Sequence, residues 1–174
     1  MKKCAGLISI LCLLVIFSGC VRSAADEEGM VKIIAQENGV ADELSVQAAG
    51  KVELGDAILM CFVAGDEKQG HTYYAAEFNH KANQYEYDHS YKLMERGIDM
   101  YSLMWGGGYV FLSNNENSKS LQILFQNGEM EDKLIAIDSI PFVYYLDLGD
   151  VCKTADEFSF EYYFLNKNGE AISK

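Results

Sequence analysis

From Leu44 onward, short runs of large apolar side chains follow one another, with turn residues between them at intervals of about 10 to 13 positions. Runs over 45–54 and 57–64 flank Gly55-Asp56, and a polar stretch from Gly65 to Gly70 leads into 72–78. Residues 79–83 then turn the chain into 85–93. A further run over 98–105 meets Gly106-Gly107-Gly108 and continues as 109–113. Beyond the polar loop 114–118 come 121–125, Asn127-Gly128, 134–138, 142–148 and 158–165, and Asn166-Lys167-Asn168-Gly169 closes a last hairpin into Ala171-Ile172.

Leu121, Ile123 and Phe125 alternate with Gln122 and Leu124, and Phe158, Phe160 and Tyr162 alternate with Ser159 and Glu161. A period of two puts the large side chains on one face of a strand, so these strands bury one face and wet the other. Tyr109-Val110-Phe111-Leu112 lacks alternation and reads as a central strand covered on both sides. The pattern predicts a mainly β fold, an antiparallel meander of about 8–10 strands. So many strands curl or split, which gives a sandwich or a strongly curved sheet; part of a propeller stays open, although no internal repeat supports it.

One helix precedes the strands. Asp26 can cap it, Glu27 and Glu28 suit its first turn, Met30, Ile33 and Ile34 share a face, and Gly39 can end it, which places it over about 27–38. The competing arrangement makes Asn38-Gly39 a hairpin turn. Adjacent Ile33 and Ile34 fit a 3.6-residue period better than strict alternation.

The N-terminus has a different grammar. Lys2 and Lys3 precede an almost wholly apolar run from Ala5 to Phe17, followed by Ser18, Gly19, Cys20, Val21 and Arg22. This is the layout of an export signal, and the run is shorter than the roughly 20 apolar residues that a spanning helix needs. Phe17-Ser18-Gly19-Cys20 resembles the lipobox of bacterial lipoproteins, with Phe17 where that family usually carries Leu. The resemblance covers the first 20 or so residues and implies cleavage before Cys20 and diacylation of its sulfur. Two acyl chains anchor durably where one is marginal. The implied organisation is a signal peptide over 1–19, a lipidated tether over 20–28 and one globular domain over 29–174, held on the extracytoplasmic face of a cell membrane. In a host with two membranes, Val21 rather than Asp after the cysteine resembles outer-membrane sorting. The alternative is an ordinary secretory signal that ends in a cysteine.

Composition then narrows the partners. Removing Lys2 and Lys3 from 14 Lys and Arg leaves 12, against 26 Asp and Glu, a formal charge of −14 for the processed chain. Nucleic acid, whose affinity rests on neutralising phosphates, is excluded as a partner. A protein or a cationic ligand is favoured, and the plainer role of the charge is solubility. Eleven Tyr, nine Phe, one Trp and a hydrophobic share of 49% describe a chain that can bury a core rather than a disordered one.

Candidate chemistry is sparse. His71, His80 and His89, with Glu77, Glu86 and Asp88, could be assembled into a metal cluster. Their nine-residue spacing alternates parity along a strand, and a turn over 79–83 puts His80 at an exposed tip, so surface histidines are the preferred reading and no metal or other cofactor is expected. Asp147, Asp150 and Asp156, and Asn114, Asn115, Glu116 and Asn117, offer oxygen ligands of the kind calcium takes, but neither stretch follows an EF-hand loop and both fit solvated turns. Tyr73, Tyr101, Trp105 and Tyr144 are candidate anchors for a protein or sugar partner if exposed, with cross-strand packing the preferred alternative. Arg96 could hold a carboxylate bidentately or pair with an acidic neighbour. Cys61 and Cys152 could form a disulfide outside the cytoplasm, although Cys61, inside an apolar run, also suits a small buried hydrophobe.

No nucleophile elbow, Cys/His pair or phosphate loop is present, and Gly106-Gly107-Gly108 precedes a strand rather than a helix. The expected function is a non-catalytic binding or interaction domain of an anchored lipoprotein. The alternatives are a cell-envelope hydrolase using carboxylates, with or without a metal, and an envelope inhibitor or immunity-like protein.

Overall fold

The computed structural model describes residues 22–40, 46–65, 70–95, 100–126, 130–149 and 159–172. Among them are one helix and eleven strands. The helix, α1 (Glu27–Glu37), starts where its sequence signals place it: the Asp26 carboxylate accepts the Gly29 amide at 2.9 Å, and Asn38 and Gly39 (φ 64°) end it. Such a cap contributes about 0.5–2 kcal/mol.

Five strands form the first sheet: β1 (Ser23–Ala24), β2 (Val46–Leu54), β3 (Ala57–Ala64), β4 (Thr72–Lys81) and β5 (Gln84–Glu95), in the order β1-β5-β4-β3-β2. From β2 to β5 this is the expected meander. A second sheet has the order β10-β7-β6, built from β6 (Met100–Trp105), β7 (Gly108–Ser113) and β10 (Phe142–Asp147). A third has the order β11-β8-β9, built from β8 (Ser120–Phe125), β9 (Lys133–Ala136) and β11 (Phe160–Leu165). In both, the last strand returns from later in the chain to the open side of a hairpin, and all pairings are antiparallel.

Side-chain parity explains the stacking. On β3, Ile58, Met60, Phe62 and Ala64 pack with Met30, Ile33 and Ile34 of α1, whereas Leu59, Cys61 and Val63 pack with Tyr101, Trp105, Val110 and Leu112 of the second sheet. On β7, Val110 and Leu112 face the first sheet, and Phe111 packs with Leu121, Ile123 and Phe164 of the third. The protein is therefore a stack of helix, first sheet, second sheet and third sheet. β3 and β7 are covered on both faces, as the unbroken apolar runs require. At the far side of the stack, Leu121 and Ile123 of β8 are buried while Gln122 and Leu124 are only partly covered, so the alternation there follows the sequence.

Two features of the stack were not legible as pattern. On β2, a bulge inserts Ala49 between residues paired with Phe62 and Cys61. Val46 and Ala48 thus face the helix, while Val52 and Leu54 face the second sheet. One extra residue reverses every later side chain. The second feature is the start of the fold. Within the expected tether over 20–28, residues 22–28 are part of the fold: the Arg22 carbonyl accepts the Tyr87 amide at 2.8 Å, Ser23 and Ala24 pair with Glu86 and Tyr85, and Ala24 is buried under Gly29. Arg22 also pairs with Glu37 in the last turn of α1, offsetting a carboxylate at the helix end that disfavours negative charge.

The glycine run is a hairpin turn. Gly106 and Gly107 take φ of 59° and 81° between β6 and β7. At Gly108 a Cβ would stand 2.3 Å from the Leu146 carbonyl oxygen and 2.7 Å from the Tyr145 ring, so only glycine lets β10 lie this close.

Cys61 is a free thiol with no solvent exposure. Cys152, with which it could pair, lies outside the described residues. Burial pushes the Cys61 thiol up from 9.0 to about 12. An unfolded chain releases this proton near its ordinary pKa while the folded chain keeps it, so between about pH 9 and 12 this group makes stability fall as pH rises. Alkylation at pH 9 followed by peptide mapping should leave Cys61 unmodified in the native protein and modify it fully in guanidinium. Native labelling at the unfolded rate would contradict its burial.

Candidate functional site

The most distinctive cluster of titratable groups lies on β4 and β5, and a bulge creates it. Glu77 pairs with His89 and the next residue, Phe78, pairs with Tyr87, which leaves Asp88 as the extra residue on β5. Before the bulge, Tyr85 and Tyr87 pack toward the helix; after it, Leu93 packs toward the second sheet. Strict alternation would put residues 85, 87, 89 and 91 on one face. The bulge instead turns His89 and Tyr91 to the side of Glu77.

The four side chains form a chain of contacts. Asp88 Oδ2 lies 2.9 Å from His89 Nδ1. His89 Nε2 meets the Tyr91 hydroxyl, which donates to Glu77 Oε1 at 2.8 Å. Nε2 itself stands 3.5 Å from Glu77 Oε1. The His89 and Tyr91 rings meet edge to face with centroids 4.6 Å apart. Side-chain exposures of 24% for Glu77, 44% for His89 and 59% for Asp88 leave the cluster open to solvent. The Tyr91 phenol is held up at about 12, first by its hydrogen bond to Glu77, then by burial and by the charges of Glu77 and Asp88. It is a neutral donor at physiological pH.

The histidines are otherwise dispersed. His71 is half-buried, with its Nδ1 3.4 Å from Asn114 Nδ2. His80 is exposed, as expected, but inside β4 rather than at a turn tip. β4 runs on to Lys81, and the turn is only Ala82-Asn83, with φ of 48° and 65°; His80 stacks on its cross-strand partner Tyr85 at 5.0 Å. Such a two-residue turn wants positive φ at both positions, which Asn-Gly would have announced and Ala-Asn does not. Of the six residues considered together in the sequence, Glu77, Asp88 and His89 converge, with ligand atoms within 4.8 Å of one another. Glu86 instead pairs with Lys81 at 2.7 Å.

The other candidates fall elsewhere. Tyr73, Tyr101 and Trp105 are in the core between the first and second sheets, with Tyr73 fully buried and its ring 4.8 Å from that of Tyr101. None of the three is an exposed anchor, because β4 and β6 turn these odd-numbered positions toward each other. Tyr144 is half-buried against the third sheet, stacked with Phe142 at 6.5 Å. The loop over 114–119 closes on itself, with Asn115 Oδ1 accepting the Asn117 amide at 2.9 Å, and Asp147 Oδ1 accepts the Gly149 amide at 2.8 Å. Both serve local turns. Arg96, Cys20, Asp150 and Asp156 lie outside the described residues.

Two clefts, of about 510 and 480 Å³, flank that loop. Gln47, His71, Asn114 and Asn115 line one, and Lys119, Asn166 and Asn168 the other, with Asn117 common to both. The first offers amide groups, a histidine and the single carboxylate of Glu116, and the second amide groups and two lysines, Lys119 and Lys167. No protein-family model, curated protein or solved structure matches this chain.

Replacing the carboxylate that holds the phenol tests the geometry of the cluster. In Glu77→Gln, the Tyr91 pKa should fall from about 12 toward its ordinary value of 10.0, followed by NMR of ¹³Cζ-labelled tyrosine across an alkaline titration. A Tyr91 resonance that titrates identically in both proteins would refute the contact.

Proposed function

We propose that this chain is an extracytoplasmic lipoprotein, held on a cell membrane by lipid on Cys20, whose β body binds another molecule rather than catalysing a reaction. The observation that carries this reading is the N-terminal sequence: Lys2-Lys3, an apolar run ending at Phe17, and Ser18-Gly19-Cys20. Two features of the body bear on how it would sit. Arg22, whose carbonyl is bonded to Tyr87 beside β1, is two residues after Cys20, and two residues extend at most about 7 Å. A lipid on Cys20 therefore tethers the β1–β5 edge close to the bilayer. Arg22 stands there already paired with Glu37, on a body whose excess of acidic groups anionic headgroups push outward.

The binding reading draws on the shape of the described surface. Its main titratable cluster is open on a sheet face, whereas general acid–base chemistry calls for such groups gathered in a pocket that excludes water. The acidic body favours a cationic ligand or the basic face of a protein, and nucleic acid is not its partner.

Cys20→Ala separates this proposal from plain secretion. The unaltered chain should fractionate with membranes and incorporate labelled palmitate; the variant should be released or persist as the larger precursor, without label. Palmitate still incorporated in Cys20→Ala would overturn the anchor.

A further inference from the structure

We infer that Glu77 and His89 bind one divalent transition-metal ion of the zinc type, with Asp88 orienting the imidazole and Tyr91 occupying the site when the ion is absent. The inference goes beyond the anchored binding module and does not depend on the anchor.

Three observations carry it. The first is spacing. Two ligands at about 2.0–2.1 Å from a tetrahedral zinc stand roughly 3.3–3.4 Å apart, and His89 Nε2 stands 3.5 Å from Glu77 Oε1. These two atoms belong to residues paired directly across the β4–β5 ladder, which brings the two side chains together on one face. The second is tautomer. The Asp88 carboxylate at Nδ1 can only accept, so a neutral His89 carries its proton on Nδ1 and presents the Nε2 lone pair toward Glu77. A carboxylate behind the imidazole is the usual support for a metal-binding histidine. The third is convergence. One ligand atom each of Glu77, Asp88 and His89 lies within 4.8 Å of the other two.

Ligand type selects the ion. One imidazole nitrogen with one carboxylate suits zinc, copper or nickel, whereas calcium and magnesium take oxygen alone. The Tyr91 hydroxyl bridges the two ligand atoms, and metal entry moves it aside. Two protein ligands leave the remaining positions to water or to a group from a binding partner.

The test uses the full-length chain in detergent, stripped with a chelator and titrated with zinc chloride against a competing chromophoric chelator. The unaltered protein should take up one zinc per chain. Glu77→Gln and His89→Gln should abolish that uptake, and Asp88→Asn should weaken it by about tenfold or more, the usual effect of removing a group that orients a ligand. Tyr91→Phe should bind at least as tightly, and His80→Gln should be unchanged. In the unaltered protein, ¹⁵N NMR should show zinc moving His89 Nε2 while His71 and His80 stay in place, a readout that needs no variant to fold. Saturable uptake that survives His89→Gln, a Tyr91→Phe variant that loses it, or zinc that moves another histidine instead of His89 would each overturn the inference, as would an unaltered protein that takes up none.

Discussion

The constraint from which this fold follows is that β3 has no polar face. Leu59, Cys61 and Phe62 are without solvent exposure, and neighbouring side chains on such a strand point in opposite directions. Large side chains of this kind each contribute about 1.5–3 kcal/mol when fully buried, so leaving either face wet would forfeit several such terms at once. One face is covered by α1 and the other by the second sheet. That cover is itself built around β7, whose Phe111 on the reverse side needs a third sheet. Each layer is thus required by the one before it, until the outer strands β8 and β11 restore alternation and meet solvent. Glycine enters where the layers come closest: a side chain at Gly50 would stand 2.9 Å from Val143 of β10.

What could be seen in the sequence follows from how periodicity encodes burial. Unbroken runs at β3 and β7, alternation at β8 and β11, and the cap and terminator of α1 are local signals, and they located these elements closely. Bulges leave no such mark. Ala49 and Asp88 look like ordinary strand residues, yet each reverses the facing of the residues that follow it, on β5 as far as a second register shift at Leu93. The candidate site lay on the far side of that gap: its residues were named, but the parity argument that set them apart assumed an unbruised ladder, and the Ala82-Asn83 turn lacked the glycine that would have shown His80 to be inside a strand. β1 was missed for a different reason. Two residues carry no period at all, and Ser23 and Ala24 are fixed by pairing with β5 and by the close approach of Gly29. Tyr73, Tyr101 and Trp105 pack, as preferred over exposed anchors, but between two sheets rather than across neighbouring strands, because the stack has more internal faces than a single curved sheet.

The functional reading joins the two ends of this argument. Sequence alone supports the anchor, since nothing in the described residues bears on lipid. The body contributes a paired strand close after Cys20 and, on the neighbouring strands, the bulge-made cluster of Glu77, Asp88, His89 and Tyr91. Both features depend on β5, which pairs with β1 on one side and β4 on the other. The strand that pairs with β1 therefore also presents Asp88, His89 and Tyr91.

Native-state hydrogen exchange, read amide by amide, tests the layered account most directly. If the stack is held by strands covered on both faces, amides of β3 and β7 should exchange together and slowest, only through global unfolding, with β1 and β9 at the edges exchanging earlier. Exchange in β3 as fast as in β9, or β7 opening independently of β3, would contradict it.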